Sequence, residues 1–273
     1  MSVRLTLCAL AVLTSACASD TPTTVEDDLG REVRLDGTPQ RVLPLAPVVR
    51  DLIAEVAGAD RLASAPEEER PLPDLALGLA DVTPLTKADE LAELGIPAYL
   101  VRLDVLNDVP RVLRTLDSLL ASDRGAPAAG AFETRVQTVQ RAVAPFDAPR
   151  VLLVADSDPD RIDAYGRESY ASEIVRIAGG DNVTDVFPGT TSQPSAEAVV
   201  DLAPQVILVL GDTADAESLI SDHPALVQTP AVQNRRVIAV DADLLSSLGL
   251  HSVDALEQIA RRIHPEAFAA GAA

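Results

Sequence analysis

Aromatic side chains are scarce in this chain of 273 residues, which has three tyrosines, four phenylalanines and no tryptophan. Large planar ligands are usually held on aromatic faces, so a binding site lined throughout by rings is not expected. Lysine is also nearly absent, since Lys87 is the one lysine among 22 basic residues, against 42 acidic ones. The formal net charge of −20 argues against nucleic acid and anionic lipid surfaces as partners, because both would repel the protein.

The usual catalytic motifs are missing as well. The sequence contains no GxGxxG, GxxxxGK[ST], HExxH or GxSxG pattern, which leaves phosphate cradles, zinc hydrolysis and the nucleophile elbow without their usual support. His223, His251 and His264 share no zinc-ligand spacing. We therefore predict a binding protein rather than an enzyme, with no resident metal site and no resident cofactor.

The N-terminus has the pattern of a targeting segment. Arg4 precedes an apolar run at residues 5–13 that is too short to span a bilayer, and small residues at 14–16 precede Cys17. Small residues directly before a cysteine resemble a bacterial lipobox, in which Cys17 is lipidated. A plain cleaved signal with an incidental cysteine is the alternative. The lipidated form predicts a periplasmic or cell-surface protein that is anchored to a membrane.

The first half of the chain is repeated in altered form in the second. Residues 41–62 read as a strand, a helix and an Ala-Gly turn, and residues 150–183 follow the same order. Two copies of one unit predict two α/β lobes, and a cleft between lobes is a preferred ligand site. Residues 156–169 follow the first strand of the second copy, and we expect them to form a loop.

Helix and strand patterns give the rest of the organisation. Strands alternating with helices in both halves predict parallel sheets, and Gly30 marks the turn of a hairpin within residues 25–35. Asp108 is expected to cap a helix that runs to about Leu120, and the tail after His264 is expected to fray.

One helix is predicted to join the two lobes. Phe132, Val136, Val139 and Val143 fall on one face of a helix at 127–144, although a helix belonging to one lobe would have the same pattern. The predicted segments are a signal peptide (1–17), a tether with the N-terminal hairpin (18–38), an N-terminal lobe (39–122), a connecting helix (123–146) and a C-terminal lobe (147–273).

Five short motifs, taken in order, resemble a known family. They are DDLGREV at 27–33, RVLPLAP at 41–47, IAGGDNV at 177–183, PSAE at 194–197 and PQVI at 204–207. Their order over residues 25–265 is similar to that of the class III periplasmic binding proteins for cobalamin, haem and ferric siderophores, and most similar to the vitamin B12 branch. The resemblance implies two Rossmann-like lobes bridged by one long helix. It also implies a monomer that delivers a metal chelate, cobalamin first and haem or a ferric siderophore next, to an ABC importer permease.

The resemblance also implies docking residues. In the family, a glutamate at a helix start in each lobe meets an arginine of the permease, and Glu197 matches that position in the second half. The equivalent helix is missing from the first half, where Glu67, Glu68 and Glu69 form the acidic cluster placed to replace it. Glu197 has an alternative role as a charge that favours its helix dipole.

Ligand contacts are expected where loops leave the carboxyl ends of the strands. The residues so placed are Pro47 and Val48 in the first lobe, and Tyr165, Arg167, Tyr170 and His251 in the second. Each has a simpler alternative: half-buried tyrosines, a solvated arginine, and a histidine hydrogen-bonded near the start of the last helix. Two other functions stay open, a surface lipoprotein of this fold that has lost its chelate and serves an interaction role, and an enzyme with dispersed carboxylates.

Overall fold

The computed structural model describes residues 22–65, 71–245 and 248–269. The strands are β1 (Thr23–Glu26), β2 (Glu32–Leu35), β3 (Val42–Pro44), β4 (Leu75–Leu79), β5 (Ala98–Val101), β6 (Arg150–Asp158), β7 (Arg161–Tyr165), β8 (Asp181–Asn182), β9 (Thr191–Ser192), β10 (Val206–Leu210) and β11 (Val237–Val240). The helices are α1 (Pro47–Ala57), α2 (Leu85–Glu93), α3 (Asp108–Leu119), α4 (Gly125–Val143), α5 (Tyr170–Ile177), α6 (Ala196–Leu202), α7 (Thr213–Asp222), α8 (Pro230–Gln233), α9 (Ser252–Ile263) and α10 (Pro265–Ala269).

Lobe one, from β3 to α3, is built on a parallel sheet in the order β3-β4-β5. Its first helix, α1, begins at Pro47, whose missing N–H is no loss in the first turn of a helix. The predicted hairpin is present as the antiparallel pair β1-β2, with Gly30 at a φ of +76° in its turn. Asp28 ties this hairpin to lobe one, because its N–H donates to the Leu100 carbonyl at 3.1 Å.

Lobe two, from β6 to α10, has a sheet in the order β11-β10-β6-β7-β9, with β8 also paired to β6. Strands β6, β10 and β11 are parallel, but β7 runs antiparallel to β6. The prediction of a loop at residues 156–169 was therefore wrong for residues 156–165, which complete β6, make a turn and form all of β7. Burial alternates along β7, as expected of a strand: Ile162 and Ala164 point into the core while their neighbours are more exposed.

The helix α4 lies where the connecting helix was predicted. Phe132, Val139 and Val143 are buried along one face, and α4 packs against α1 and α3 of lobe one and against α5, α9 and α10 of lobe two. One apolar cluster runs from Val42 through α4 to Val151. The two lobes are thus joined by a continuous core.

Two smaller predictions were wrong. The Asp108 carboxylate does not cap α3, because it accepts the N–H groups of Asp104 and Val105, which precede the helix, at 2.9 and 3.1 Å. Residues 265–269 do not fray but form α10, whose Phe268 packs against the core and lies under the Arg261 guanidinium. Among the residues that the structure describes, no helix combines the length and apolar character needed to cross a bilayer.

Candidate functional site

The two lobes touch directly where α1 begins. Val48 of lobe one lies against Gly249 of lobe two, so closely that a Cβ atom placed on Gly249 would be 2.5 Å from Val48 Cγ2. Real Cβ atoms essentially never come this close to a neighbour, so Gly249 is required for this approach. Pro47, the residue before Val48, is exposed.

A groove with a volume of about 590 Å³ lies at the boundary between the lobes. Its acidic wall residues are Asp51 from α1 and Asp241, Asp243, Asp254 and Glu257 from lobe two. Arg135 of the connecting helix balances two of these charges, at 2.6 Å from Asp254 and 2.8 Å from Glu257. The groove as a whole is therefore a region of negative potential.

His251 stands in the wall of this groove with 81% of its side chain exposed. Its Nδ1 lies 3.2 Å from Asp254 Oδ2 in the first turn of α9, the contact expected of a histidine that bonds near a helix start. Burial opposes ionisation of Asp254, but hydrogen bonds from Arg135 and His251 outweigh it and hold the pKa of Asp254 below its usual range. The described residues contain no group of three or more His, Cys, Asp or Glu side chains that could hold a metal ion.

The two candidate tyrosines are half-buried and belong to regular elements rather than to a loop. Tyr165 ends β7, and its carbonyl accepts hydrogen bonds from Asn182 at 2.9 Å and Thr184 at 2.6 Å. Tyr170 begins α5, and its hydroxyl donates to the Leu245 carbonyl in the segment that walls the groove. Burial raises the pKa of both phenols, so both stay neutral at physiological pH.

Arg167 lies between these tyrosines in sequence and is exposed, with its Nε donating to the Asp185 carbonyl at 2.7 Å. The guanidinium is thus held by a backbone group of lobe two. Its charge stays available to an anionic group of a ligand.

Comparison with known proteins decides the family. Residues 73–244, well over half of the chain, match the family model described as "Periplasmic binding protein". The chain belongs to the periplasmic binding protein family. The resemblance inferred from the sequence is confirmed, and so is the predicted fold of two lobes bridged by one helix.

Relatives of this periplasmic binding protein are remote in sequence. The uncharacterized ABC transporter substrate-binding lipoprotein YvrC of Bacillus subtilis is 26% identical over 133 residues, which cover 49% of this chain and 41% of that protein. The chain thus spans about two fifths of that relative. A vitamin B12-binding protein of Pectobacterium carotovorum is 23% identical over 192 residues, 70% of this chain and 67% of that protein. The structure of the heme-binding protein RhuT from Roseiflexus superposes with a TM-score of 0.66 at 22% identity, over 84% of this chain and 99% of that one.

The docking candidates of this periplasmic binding protein divide between the lobes. Glu197 is exposed in the first turn of α6, and Ser195 caps that helix by accepting the Ala198 N–H at 3.2 Å. Glu197 is therefore not needed as the cap. Glu67, Glu68 and Glu69 lie outside the described residues. Residues 62–65 and 71–74, which the structure does describe on this stretch of lobe one, form no helix equivalent to α6.

Sequence reasoning did not single out several residues at the carboxyl ends of the lobe-one strands and at the contact between the lobes. In lobe one, Asp81 after β4 hydrogen-bonds to Asp104 after β5, and this contact raises the pKa of Asp104. Next to this pair lie the exposed side chains of Val82 and Val105. Such contacts join loops that are distant in sequence, so no local sequence pattern predicts them. Of these residues, Gly249 had a recognisable sequence signal, because a glycine often marks a close approach of the backbone to a neighbouring segment.

Proposed function

We propose that this periplasmic binding protein captures a metal chelate between its lobes and delivers it to the permease of an ABC importer. The observation that carries the proposal is a groove between two directly touching lobes, in a chain of this family. The proposed contacts remain Pro47, Val48, Tyr165, Arg167, Tyr170 and His251, of which His251 lines this groove and the other five do not. No enzymatic step is proposed, since the relatives found are named as binding proteins.

Cobalamin is the first choice of ligand, and haem or a ferric siderophore is the next. Haem carries two propionates, and the acidic groove would repel them, whereas cyanocobalamin has no net charge. Arg135 balances Asp254 and Glu257, which leaves Asp51, Asp241 and Asp243 as an excess of acidic side chains in the groove wall. Arg167, the positive group between the tyrosines in sequence, does not line the groove. The curated relative named as a vitamin B12-binding protein supports the same choice.

The proposal includes a lipid anchor on Cys17, which lies outside the described residues. The Bacillus subtilis relative is named as a lipoprotein, which supports a location at the outer face of a membrane. Because lipidation needs the thiol, Cys17→Ser is expected to release the protein from washed membranes while chelate binding is unchanged. Equal retention of the wild type and the variant would mean that another anchor exists.

Docking on the permease is assigned to Glu197 of lobe two, with Glu67, Glu68 and Glu69 as the lobe-one counterpart. Charges at the rim of an interface guide association and fix its register. Glu197 is suited to this role because it is exposed and its helix is capped by another residue.

Titration calorimetry with cyanocobalamin, haemin and several ferric siderophores tests the ligand. Calorimetry is preferred because the chain has no tryptophan to report binding by fluorescence. We expect saturable binding of cyanocobalamin and weaker binding of haemin. Absence of a binding signal with every chelate at tens of micromolar would contradict the proposal. That result would favour a surface lipoprotein that has kept the fold for an interaction role.

A further inference from the structure

One hydrogen bond joins the lobes without passing through the connecting helix. The Leu106 N–H, in the loop after β5, donates to Glu173 Oε2 on α5 at 2.8 Å. Leu106 is buried, with 1% of its surface exposed, so water does not compete freely for this N–H. Hydrogen bonds from a backbone N–H to a carboxylate are among the stronger ones in proteins.

The loop that carries Leu106 is held by both lobes. The N–H groups of Asp104 and Val105 donate to Asp108 of lobe one at 2.9 and 3.1 Å. The next N–H, that of Leu106, donates to Glu173 of lobe two. Three consecutive backbone donors thus meet two carboxylates, one from each lobe. We call residues 104–106 the lobe-one lip.

Glu173 is not the residue that caps its own helix. Ser169 already caps α5 by accepting the Ser172 N–H at 3.0 Å. Glu173 lies three residues after Tyr170, which places both side chains on the same face of α5. Its carboxylate therefore links the helix that carries Tyr170 to the lobe-one lip. Within that lip, the side chain of Val105 is 44% exposed.

We infer that Glu173 is a positioning residue that sets the width of the cleft. Its bond to the Leu106 N–H fixes the separation between the lobe-one lip and Tyr170, and removing the carboxylate lets the lobes move apart. The expected effect of Glu173 on ligand affinity rests on the proposed function. Its expected effect on the separation of the lobes is independent of that function.

Hydrogen exchange of the full chain tests this directly. Glu173→Ala should speed exchange of the Leu106 amide at least about tenfold, since a lost hydrogen bond to a charged group lowers protection. Glu173→Gln should speed it less, because the amide oxygen still accepts the bond. Glu217→Ala, on the exposed face of α7, is the control and should change nothing at Leu106.

Two results would overturn the inference at this stage. One is an unchanged hydrogen-exchange rate of the Leu106 amide in Glu173→Ala. The other is an equal acceleration throughout α5, which would mean that the substitution only weakens its own helix.

Calorimetry of the same variants tests the consequence for binding. If the wild type binds a chelate, Glu173→Ala should weaken the affinity and Glu173→Gln should restore part of it. Equal affinity of Glu173→Ala and the wild type would overturn the role in positioning. If the wild type binds no chelate, the proposed function fails, and hydrogen exchange alone decides whether Glu173 holds the lobes together.

Discussion

The two lobes repeat one order of elements but differ in the layer that faces away from the cleft. Among the described residues, the outer core of lobe two contains twelve buried apolar side chains. Ten come from β6, β7, β10 and the helices α6 to α8, and Val183 and Leu226 come from turns after β8 and α7. The corresponding core of lobe one contains six. Beside it, between the hairpin and α2, opens a groove of about 1080 Å³. Lobe one thus has a thinner outer layer.

The layer that faces the cleft is equally complete in both lobes. Each lobe presents the start of a helix to the boundary, α1 with Val48 in lobe one and α5 with Tyr170 in lobe two. Both helices belong to one continuous apolar cluster. The comparison teaches that the helix starts at the lobe boundary belong to the shared inner layer, whereas the difference between the lobes lies in the outer layer.

The largest effect is expected at Glu197, the proposed docking residue of lobe two. Glu197→Arg should abolish uptake in a reconstituted importer, because it removes an attraction and adds a repulsion, while chelate affinity in solution stays unchanged. Glu217→Arg, an equal charge reversal on α7, is the control. Alanine at Glu67, Glu68 and Glu69 together tests whether lobe one docks as well. Normal uptake by Glu197→Arg would leave Glu197 as no more than a helix-terminus charge.

Truncating one buried leucine in each outer layer compares how much stability the two layers contribute. Leu219 on α7 and Leu91 on α2 follow equivalent strands and are both buried. We expect Leu219→Ala to lower the free energy of unfolding by about 4 kcal/mol and Leu91→Ala by about 2 kcal/mol, since lobe one can relax toward its open groove. Urea unfolding of both variants provides the comparison. Equal losses would show that the thinner layer is no easier to relax.

The contact between the lobes can be broken at a single glycine. Gly249→Ala places a methyl group against Val48, and we expect a loss of about 2 kcal/mol in stability from overpacking, together with weaker chelate binding. Adding Val48→Ala should recover most of the lost stability, because it removes the methyl groups that the new side chain meets. If the second substitution restores no stability, the close approach is not what Gly249 provides.

The smallest effect concerns Asp27, which ties the hairpin to lobe one and has no counterpart in lobe two. Burial tends to raise the pKa of Asp27, but hydrogen bonds from the Arg31 N–H, the Arg31 guanidinium and the Leu29 N–H together lower it. Because the folded pKa is depressed, the stabilisation is full above about pH 5, where the carboxylate of the unfolded chain is also ionised, and is lost as the pH falls through the folded pKa.

Asp27→Asn should therefore lower the free energy of unfolding by about 1 to 2 kcal/mol at neutral pH. The difference from the wild type should shrink as the pH falls below about pH 5 and through the folded pKa of Asp27. Glu32→Gln, an exposed carboxylate of the same hairpin, is the control. A loss that is independent of pH would assign the effect to packing rather than to charge.

Periodicity and the internal repeat were sufficient to predict the two lobes and the helix between them. Helical spacing of Phe132, Val139 and Val143 marks a buried face whatever that face packs against, so α4 was predictable from local pattern. The hairpin β6-β7 was missed because the turn residues between its strands, Pro159 and Asp160, read equally well as the start of a loop.

The sequence by itself determined the family, the lobes and the acidic character of the protein, because these depend on composition, periodicity and motif order. Only the tertiary structure decided which residues meet across the cleft. Glu173 and Leu106 are 67 positions apart, and a surface glutamate carries no local sign of its distant partner. Contacts between lobes are set by the packing of whole elements around α4, and that packing is a property of the folded chain.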